Sequence, residues 1–318
     1  MNNTQKTKII SIIGPTASGK TKLAIALSEK IDLEIISADS MQVYQEFDIL
    51  SAKPSKSDMS KVAHYLVDFL SVTEEFSVAN FVELAHKYIK KISEDNKIPV
   101  LVGGTGLYLD SLVKNINFDN NTKNSEKISK LKLLDNINLM KILKNIDIQT
   151  AEKLHINDRK RILRALDFYY STGNLISDQV ARSKKSEKIY DVCKIGLNFR
   201  DRNLMYDKIN SRVESMFDNN IVTEVKNIYN KKISKTAKSA IGFKEILEYI
   251  NNSLSLEDTK DKIKQATRNY AKRQLTWFRR DQNINWIYID DYENFNNILV
   301  KVGNIVKDFM KSGEICKR

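Results

Sequence analysis

The chain has 318 residues, of which 42% are hydrophobic and 29% charged, enough to bury the core of one large domain with a smaller one inserted or appended. Its 10 glycines, 3 prolines and 2 widely separated cysteines exclude collagen-like, disordered and disulfide-built proteins. No run approaches the roughly 20 apolar residues of a membrane helix, so we expect a cytoplasmic protein without membrane contact. We also expect a monomer.

The positive charge of the chain is concentrated in its second part. The formal net charge is +12. The first 110 residues carry 12 lysines, no arginine and 14 acidic residues, a net charge of −2, so the remainder carries +14. All 12 arginines lie from Arg159 onward. This distribution predicts that the second part faces a polyanion such as nucleic acid, although solvated lysine-rich helices would give part of the same pattern.

Three strands are predicted in the first part of the chain, at Lys8 to Ile13, Leu33 to Ser37 and Ile98 to Val102. Each run is continuously apolar rather than alternating, as in parallel strands that are buried on both faces. Apolar residues at helical spacing predict helices at Thr21 to Ile31 and Val78 to Ile92. Strands that alternate with helices predict an α/β fold with a parallel sheet and flanking helices.

The pattern changes near residue 112, where Lys/Asn-rich helical segments replace the strand-helix alternation. We therefore predict a small helical insertion domain within an α/β core that resumes afterwards with a strand, C-terminal helices and a last strand. The predicted regions are 1–112 and 191–318 for the core and 113–190 for the insertion. The later elements are a strand at Val192 to Leu197, a long helix at about Glu257 to Asp281 and a strand at Trp286 to Ile289.

A phosphate-binding loop follows the first predicted strand. The sequence GPTASGKT fits GxxxxGK[ST] and lies between a buried strand and an amphipathic helix, the context that this motif requires. Its glycines let backbone N–H groups turn toward a phosphate, the helix N-terminus favours an anion, and the threonine hydroxyl can bind Mg²⁺. The motif alone leaves open whether the phosphates belong to ATP, GTP or another diphosphate. The predicted phosphate-binding residues are Gly14, Pro15, Thr16, Ala17, Ser18, Gly19, Lys20 and Thr21, with Thr21 as the metal ligand.

The ends of the other two strands carry candidate site residues. Asp39 follows the second strand, at the sheet edge where open α/β folds bind ligands; the alternative is an aspartate that caps a helix or turn. The third strand ends in Gly103, Gly104 and Thr105, where a nucleotide hydrolase would normally carry a metal-binding Asp. This difference weakens an ATPase interpretation. Taken alone, the Gly-Gly-Thr sequence indicates a close-packed turn.

Seven motifs follow one another over roughly residues 8–281: GPTASGKT, ISADSMQVY, AKPS, VGGTGLYL, HINDRKRILRAL, SAIGFKE and RNYAKRQLTWFRRD. In this order and spacing they resemble the tRNA dimethylallyltransferase family. The resemblance implies transfer of a dimethylallyl group from dimethylallyl diphosphate to the exocyclic amine of the adenine just 3′ of the anticodon. It also implies Mg²⁺ as cofactor and the anticodon arm of a tRNA as partner. The phosphate-binding loop would then hold a leaving diphosphate rather than a nucleotide.

The same resemblance implies three catalytic residues. Asp39 matches the carboxylate that hydrogen-bonds the adenine amine and acts as general base. Thr105 matches the residue that joins it beside the reacting centre, and Arg212 matches the arginine that reaches the phosphates.

Residues implied to hold the tRNA lie in four places: beside the base, on a helix of the insertion, in the SAIGFK turn and on the long C-terminal helix. Helical spacing supports the insertion group, because its basic residues are neighbours on one face. We expect Tyr270, Trp277 and Phe278 of the long helix to lie in the core, whereas Arg268, Lys272 and Arg279 form a basic stripe. The implied tRNA contacts are Ser40, Met41, Gln42, Lys160, Arg161, Arg164, Ser239, Gly242, Phe243, Lys244 and Arg273.

Other interpretations remain open. A small-molecule or nucleotide kinase with the same loop would bind ATP and use Asp39 as base on a hydroxyl. A non-catalytic RNA-binding protein would need only the basic second part, but the complete set of Lys20, Thr21, Asp39, Thr105 and Arg212 argues against it. Prenylation of free adenosine nucleotides would leave the basic helices without a role.

Overall fold

The computed structural model describes residues 6–116, 125–185 and 187–312. The chain divides into two compact units. The core unit contains Met1–Val113 and Ile189–Arg318, and the insertion unit contains Lys114–Lys188. The predicted insertion domain, 113–190, covers the second of these units.

Six strands form one all-parallel sheet in the described part of the core unit, so the α/β prediction is confirmed. In chain order the strands are Thr7–Ile13 (β1), Leu33–Ser37 (β2), His64–Tyr65 (β3), Ile98–Gly103 (β4), Tyr190–Asn198 (β5) and Ile284–Tyr288 (β6). Their order across the sheet is β3-β2-β4-β1-β5-β6, which places β1 between β4 and β5.

The central position of β1 explains its continuous apolar sequence. Ile10 is paired with Val100 of β4 on one side and with Cys193 of β5 on the other. Ile9 and Ile12 are fully buried as well, because a parallel strand inside the sheet is covered on both faces.

Nine α-helices lie in the described part of the core unit, numbered here along the whole chain. One face of the sheet packs against the first and the last of them. The helices are Lys20–Ser28 (α1), Lys56–Lys61 (α2), Val78–Glu94 (α3), Gly106–Val113 (α4), Arg202–Asp218 (α10), Ile221–Ile228 (α11), Phe243–Ile250 (α12), Leu256–Phe278 (α13) and Phe295–Lys311 (α14). Two 3-10 turns lie at Ala237–Ser239 and Ile289–Asp291.

Helix α13 begins at a strong N-terminal signal. The Ser255 hydroxyl accepts a hydrogen bond from the Asp258 N–H at 3.1 Å, and Glu257 and Asp258 lie in the first turn. Both features stabilise a helix start, because they satisfy a free N–H group and oppose the positive end of the helix dipole. This fixes the start of the helix that contributes most to the site described below.

The described elements of the insertion unit are all helices. Its apolar core contains the fully buried Leu139, Leu143, Ile162 and Leu166. Arg159 donates hydrogen bonds of 2.7 Å to two backbone carbonyls near the end of the first helix of the unit, so it has a structural role. The described helices are Ser125–Lys132 (α5), Asn136–Ile146 (α6), Ile148–Ala151 (α7), Arg159–Thr172 (α8) and Ile176–Lys185 (α9).

A few element bounds differ from the predictions. Strand β3 was not predicted, because it has only two residues and its pairing with Ile35 and Ile36 is its main support. Helix α1 ends at Ser28 rather than near Ile31, and α13 ends at Phe278. None of the helices that the structure describes is long and apolar enough to cross a bilayer.

Candidate active site

A cavity of about 520 Å³ lies in the core unit at the carboxyl ends of β1, β2 and β4. Its wall is formed by the loop after β1, the segment after β2 and the end of β4, together with residues of α10, α13 and the turn before α12. Its charged lining residues include Lys20, Asp39, Arg212 and Arg273. This is the sheet edge at which parallel α/β folds bind ligands.

The phosphate-binding loop has a backbone that demands small residues. Gly14, Ala17 and Gly19 all have positive φ, of 147°, 63° and 79°. A Cβ atom at Gly14 would overlap the carbonyl oxygen of Leu197 in β5, so the loop lies directly against the neighbouring strand end. Residues Thr16, Ala17 and Gly19 line the cavity, where their chain leads into the N-terminus of α1.

Lys20 places an amine with a lowered pKa at the cavity. Its Nζ donates a 2.8 Å hydrogen bond to the Pro15 carbonyl, which folds the side chain back over the loop. Burial lowers the pKa of Lys20 to about 8; the Asp39 carboxylate opposes this shift and the Arg212 guanidinium adds to it. A bound phosphate would favour the charged ammonium.

Asp39 is held by the turn that follows β2. Its Oδ1 accepts a 2.8 Å hydrogen bond from the Met41 N–H, so the carboxylate is anchored at the wall of the cavity. Arg212 of α10 faces the same space: burial lowers the pKa of its guanidinium, and the Asp39 carboxylate opposes that shift. The structure therefore brings Lys20, Asp39 and Arg212 together as two cations and one carboxylate.

Thr105 follows the end of β4 and lies against the segment that carries Asp39. Its hydroxyl is buried and adjoins the side chain of Tyr270. Its N–H donates to the carbonyl of Ala38 at 3.3 Å, and a Cβ at Gly103 would overlap the Ala38 backbone. The Gly-Gly-Thr sequence thus brings the end of β4 into direct backbone contact with the segment that carries Asp39.

Gln42 holds a wall of the cavity together. Its Oε1 accepts from the Ser37 hydroxyl at 2.9 Å and its Nε2 donates to the Ala52 carbonyl at 3.2 Å. Ser40 and Met41 line the same wall. All three residues predicted beside the base therefore lie at the cavity.

The SAIGFK turn contributes only in part. Ser239 lines the cavity, whereas Gly242 has a φ of 97° and begins α12. Phe243 is buried, with its ring 6.2 Å from that of Phe47, and Lys244 is exposed and pairs with Glu248 at 3.4 Å. Of the four residues predicted in this turn, Ser239 lines the cavity and the other three do not.

The predicted basic residues of the insertion lie on α8, not in the cavity wall. Lys160, Arg161 and Arg164 are exposed, while Ile162 on the opposite face is buried, as the helical spacing predicts. Arg161 also makes a 3.4 Å ion pair with Asp158 at the start of the helix. These residues form an exposed basic face of the insertion unit.

Four residues of α13 line the cavity without having been predicted to do so, among them Tyr270 and Gln274. Tyr270 was expected in the core, but its ring forms part of the wall; burial raises the pKa of its hydroxyl to about 12, and the Asp39 carboxylate acts in the same direction. Gln274 contacts the phosphate-binding loop. Phe278 is buried as predicted, and Trp277 packs half-buried on Gly106.

The spacing of the α13 residues is a signal that could have found them. Ile263, Thr267, Tyr270 and Gln274 recur at intervals of three or four residues and all line the cavity. Polar groups that interrupt a buried stripe need partners, which indicates a site.

The metal-binding capacity of the cavity rests on oxygen donors. No group of three or more His, Cys, Asp or Glu side chains that could hold a metal lies within residues 6–116, 125–185 and 187–312. The Thr21 hydroxyl and the Asp39 carboxylate nevertheless line the same cavity, and hard oxygen ligands of this type suit Mg²⁺ when a phosphate completes the site.

A phosphate-binding loop and a carboxylate that share one cavity at the carboxyl ends of parallel strands define an α/β enzyme of the phosphate-binding-loop class. The family model described as "IPP transferase" matches residues 42–281. The chain is 44% identical over 300 residues to the tRNA dimethylallyltransferase of Thermoanaerobacter sp. (strain X514), an alignment that covers 92% of this chain and 95% of the relative. It therefore belongs to the tRNA dimethylallyltransferase family and is an enzyme of that family.

Solved structures agree with this assignment. The full-length tRNA isopentenylpyrophosphate transferase of Bacillus halodurans matches with a TM-score of 0.74 and 34% identity, over 98% of this chain and 99% of that one. A eukaryotic dimethylallyltransferase described as acting on tRNA matches with a TM-score of 0.74 and 29% identity, over 86% of this chain and 70% of that one.

Proposed function

We propose that this enzyme transfers a dimethylallyl group from dimethylallyl diphosphate to the exocyclic amine of the adenine just 3′ of a tRNA anticodon. The observation that carries the proposal is the shared cavity of Lys20, Arg212 and Asp39. Two cations suit a leaving diphosphate, and the carboxylate suits an amine that must lose a proton as it reacts. The names of the relatives, which specify tRNA and the dimethylallyl group, support the same substrates.

The diphosphate binds in the loop after β1. Backbone N–H groups at the N-terminus of α1 and the side chains of Lys20 and Arg212 oppose its negative charge, which increases at the bridging oxygen as the allylic carbon–oxygen bond breaks. Because burial lowers the pKa of Lys20, arrival of the anion favours its full positive charge.

Asp39 acts on the acceptor. The lone pair of the adenine amine forms the new carbon–nitrogen bond, the diphosphate leaves with the electron pair of the broken bond, and Asp39 accepts the proton that the amine loses. The hydrogen bond from the Met41 N–H holds the carboxylate in position for this transfer. Thr105, beside Tyr270, would join Asp39 on this side of the site.

Mg²⁺ fits the donors present. Thr21 would hold it together with the diphosphate, and when bound the ion would neutralise part of the phosphate charge.

The tRNA has to present one unstacked base. An adenine within the anticodon arm cannot reach Asp39 unless it is extruded from the stack, as enzymes that modify bases generally require. Ser40, Met41 and Gln42 line the same cavity as Asp39 and would contact the extruded base. Contacts to the phosphate backbone would come from the exposed basic residues Lys160, Arg161 and Arg164, together with Ser239, Arg273 and the turn up to Lys244.

The test is a transfer assay with purified protein, Mg²⁺, dimethylallyl diphosphate labelled in the allyl group, and unmodified tRNA. We expect the label to appear on the adenine 3′ of the anticodon. A tRNA that differs only by guanine at that position is the control and should stay unlabelled. Absence of label from adenine-containing tRNA would refute the proposal, and phosphate transfer from ATP to a small alcohol in the same preparation would favour the kinase alternative.

A further inference from the structure

Gln274 makes a bridge between two loops of the site. Its side chain is 5% exposed and extends from α13 into the gap between the phosphate-binding loop and the end of β4. Its Oε1 accepts the Thr16 N–H at 2.9 Å, and its Nε2 donates to the Gly104 carbonyl at 3.1 Å. One carboxamide thus satisfies a donor on the first loop and an acceptor on the second.

The fit around this carboxamide is close. A Cβ atom at Gly104 would overlap Gln274 Nε2 and would lie 3.4 Å from the Gly14 carbonyl oxygen. The absence of a side chain at Gly104 is therefore what lets the carboxamide enter between the loops. Only a group that accepts at one end and donates at the other satisfies both backbone partners, because an unpaired buried polar group is costly.

The two loops belong to the two halves of the reaction. The first binds the diphosphate through Lys20 and the amides around it, and the second continues into Thr105 beside the segment that carries Asp39. Helix α13 itself supplies Tyr270 to the wall between them. A displacement of one loop relative to the other would change the distance between the leaving group and the acceptor amine.

We propose that Gln274 is a positioning residue that sets this distance, and that its bridge commits the Thr16 N–H to the protein rather than to the diphosphate. The inference rests on the proposed function, since it assigns the two loops to leaving group and acceptor. The diphosphate is then bound by the remaining amides of the loop together with Lys20 and Arg212.

Gln274→Met tests the bridge, because it removes both hydrogen bonds and keeps a side chain of similar length. We expect kcat to fall about a hundredfold, the effect of misplacing reacting groups by about 1 Å. The KM for dimethylallyl diphosphate should change much less, since Lys20 and Arg212 still bind the phosphates. Gln282→Met, at an exposed position just beyond α13, is the matched control and should keep wild-type kinetics.

Gln274→Glu gives a pH signature that a purely structural role would not produce. An ionised carboxylate can accept from Thr16 but cannot donate to Gly104, whereas a protonated carboxyl group does both. The ratio of its kcat to that of wild type should therefore rise as the pH falls from about 8 to about 6. The corresponding ratios for Gln274→Met and Gln282→Glu should stay flat.

Hydrogen exchange at the Thr16 amide gives a readout that does not need turnover. In the full-length protein we expect Gln274→Met to speed this exchange at least about tenfold, because the protecting hydrogen bond is lost. If wild type transfers no label, the proposed function fails, and the Thr16 exchange rate still decides whether the bridge exists. A wild-type kcat in Gln274→Met would overturn the inference, whatever its exchange rate at Thr16. A Gln274→Glu kcat ratio that does not change with pH would overturn it as well. Should Gln274→Met fail to fold by circular dichroism, Gln274→Asn, one methylene shorter, should show the same loss of kcat.

Discussion

Binding of dimethylallyl diphosphate should draw a proton onto Lys20. Burial lowers the pKa of Lys20 from 10.5 to about 8, and a dianionic or more highly charged ligand beside it raises that pKa again. A pKa difference of about 2.5 units corresponds to about 3 kcal/mol. This is the free energy by which the site disfavours the charged ammonium, and a bound anion can offset it. The ligand therefore binds the protonated enzyme.

Proton uptake on ligand binding should increase with pH. At pH 9 about nine-tenths of the Lys20 side chains are neutral before binding, so complex formation should take up nearly one proton. At pH 7 most are already charged, and uptake should fall to about one-tenth of a proton. Affinity should accordingly decrease about tenfold per pH unit above pH 8 and level off below it.

Calorimetric titration without tRNA, in buffers of different ionisation enthalpy, measures the proton count. Lys20→Met should remove the uptake and isolate any contribution from the ligand itself, while Lys30→Met, at an exposed position after α1, should behave as wild type. Equal uptake at pH 7 and pH 9, or the same uptake in Lys20→Met, would refute the assignment of the proton to Lys20.

Asp39→Asn should lower the rate of transfer by about a hundredfold to ten-thousandfold, because the general base is lost. Its tRNA binding in a filter assay should stay within a few fold, since the surface is kept. The exposed control Asp32→Asn should be neutral, and an active Asp39→Asn enzyme would show that Asp39 is not the general base. Gly14→Ala should destabilise the protein by about 1–3 kcal/mol in urea unfolding, since its φ is 147° and the new Cβ meets a carbonyl. Gly303→Ala, in open space on α14, should instead stabilise by up to about 1 kcal/mol; equal effects would contradict the strain at Gly14. Burial lowers the pKa of His86 below 6.5, so the unfolded chain binds the proton more readily and the free energy of unfolding should fall as pH drops below about 6.5. His86→Phe should flatten this dependence, and an unchanged pH profile would argue against it.

The elements that could be predicted from the sequence are those specified by local chemistry. The continuous apolar runs of β1, β2 and β4 and the GPTASGKT loop each carry their own signal, because burial on both faces and positive φ restrict the allowed residues. Helix α8 likewise presents its predicted basic residues to solvent and buries Ile162.

The features that were missed depend on contacts between distant segments. Tyr270 has the composition of a core residue, and only the position of Asp39 on another element makes it a wall of the cavity. Gln274 meets backbone groups 258 and 170 residues earlier in the chain, which no local pattern specifies.

The pairing of β1 has a consequence for how the chain is made. Its residue Ile10 needs Val100 on one side and Cys193 on the other, so the last partner is separated from it by about 180 residues of chain. At a synthesis rate of about 5–20 residues per second, one edge of this apolar strand stays unpaired for roughly 10–40 seconds after it is translated. The insertion unit, whose contacts are local, can fold within that interval. The nascent chain therefore exposes an aggregation-prone strand edge until β5 has been synthesised.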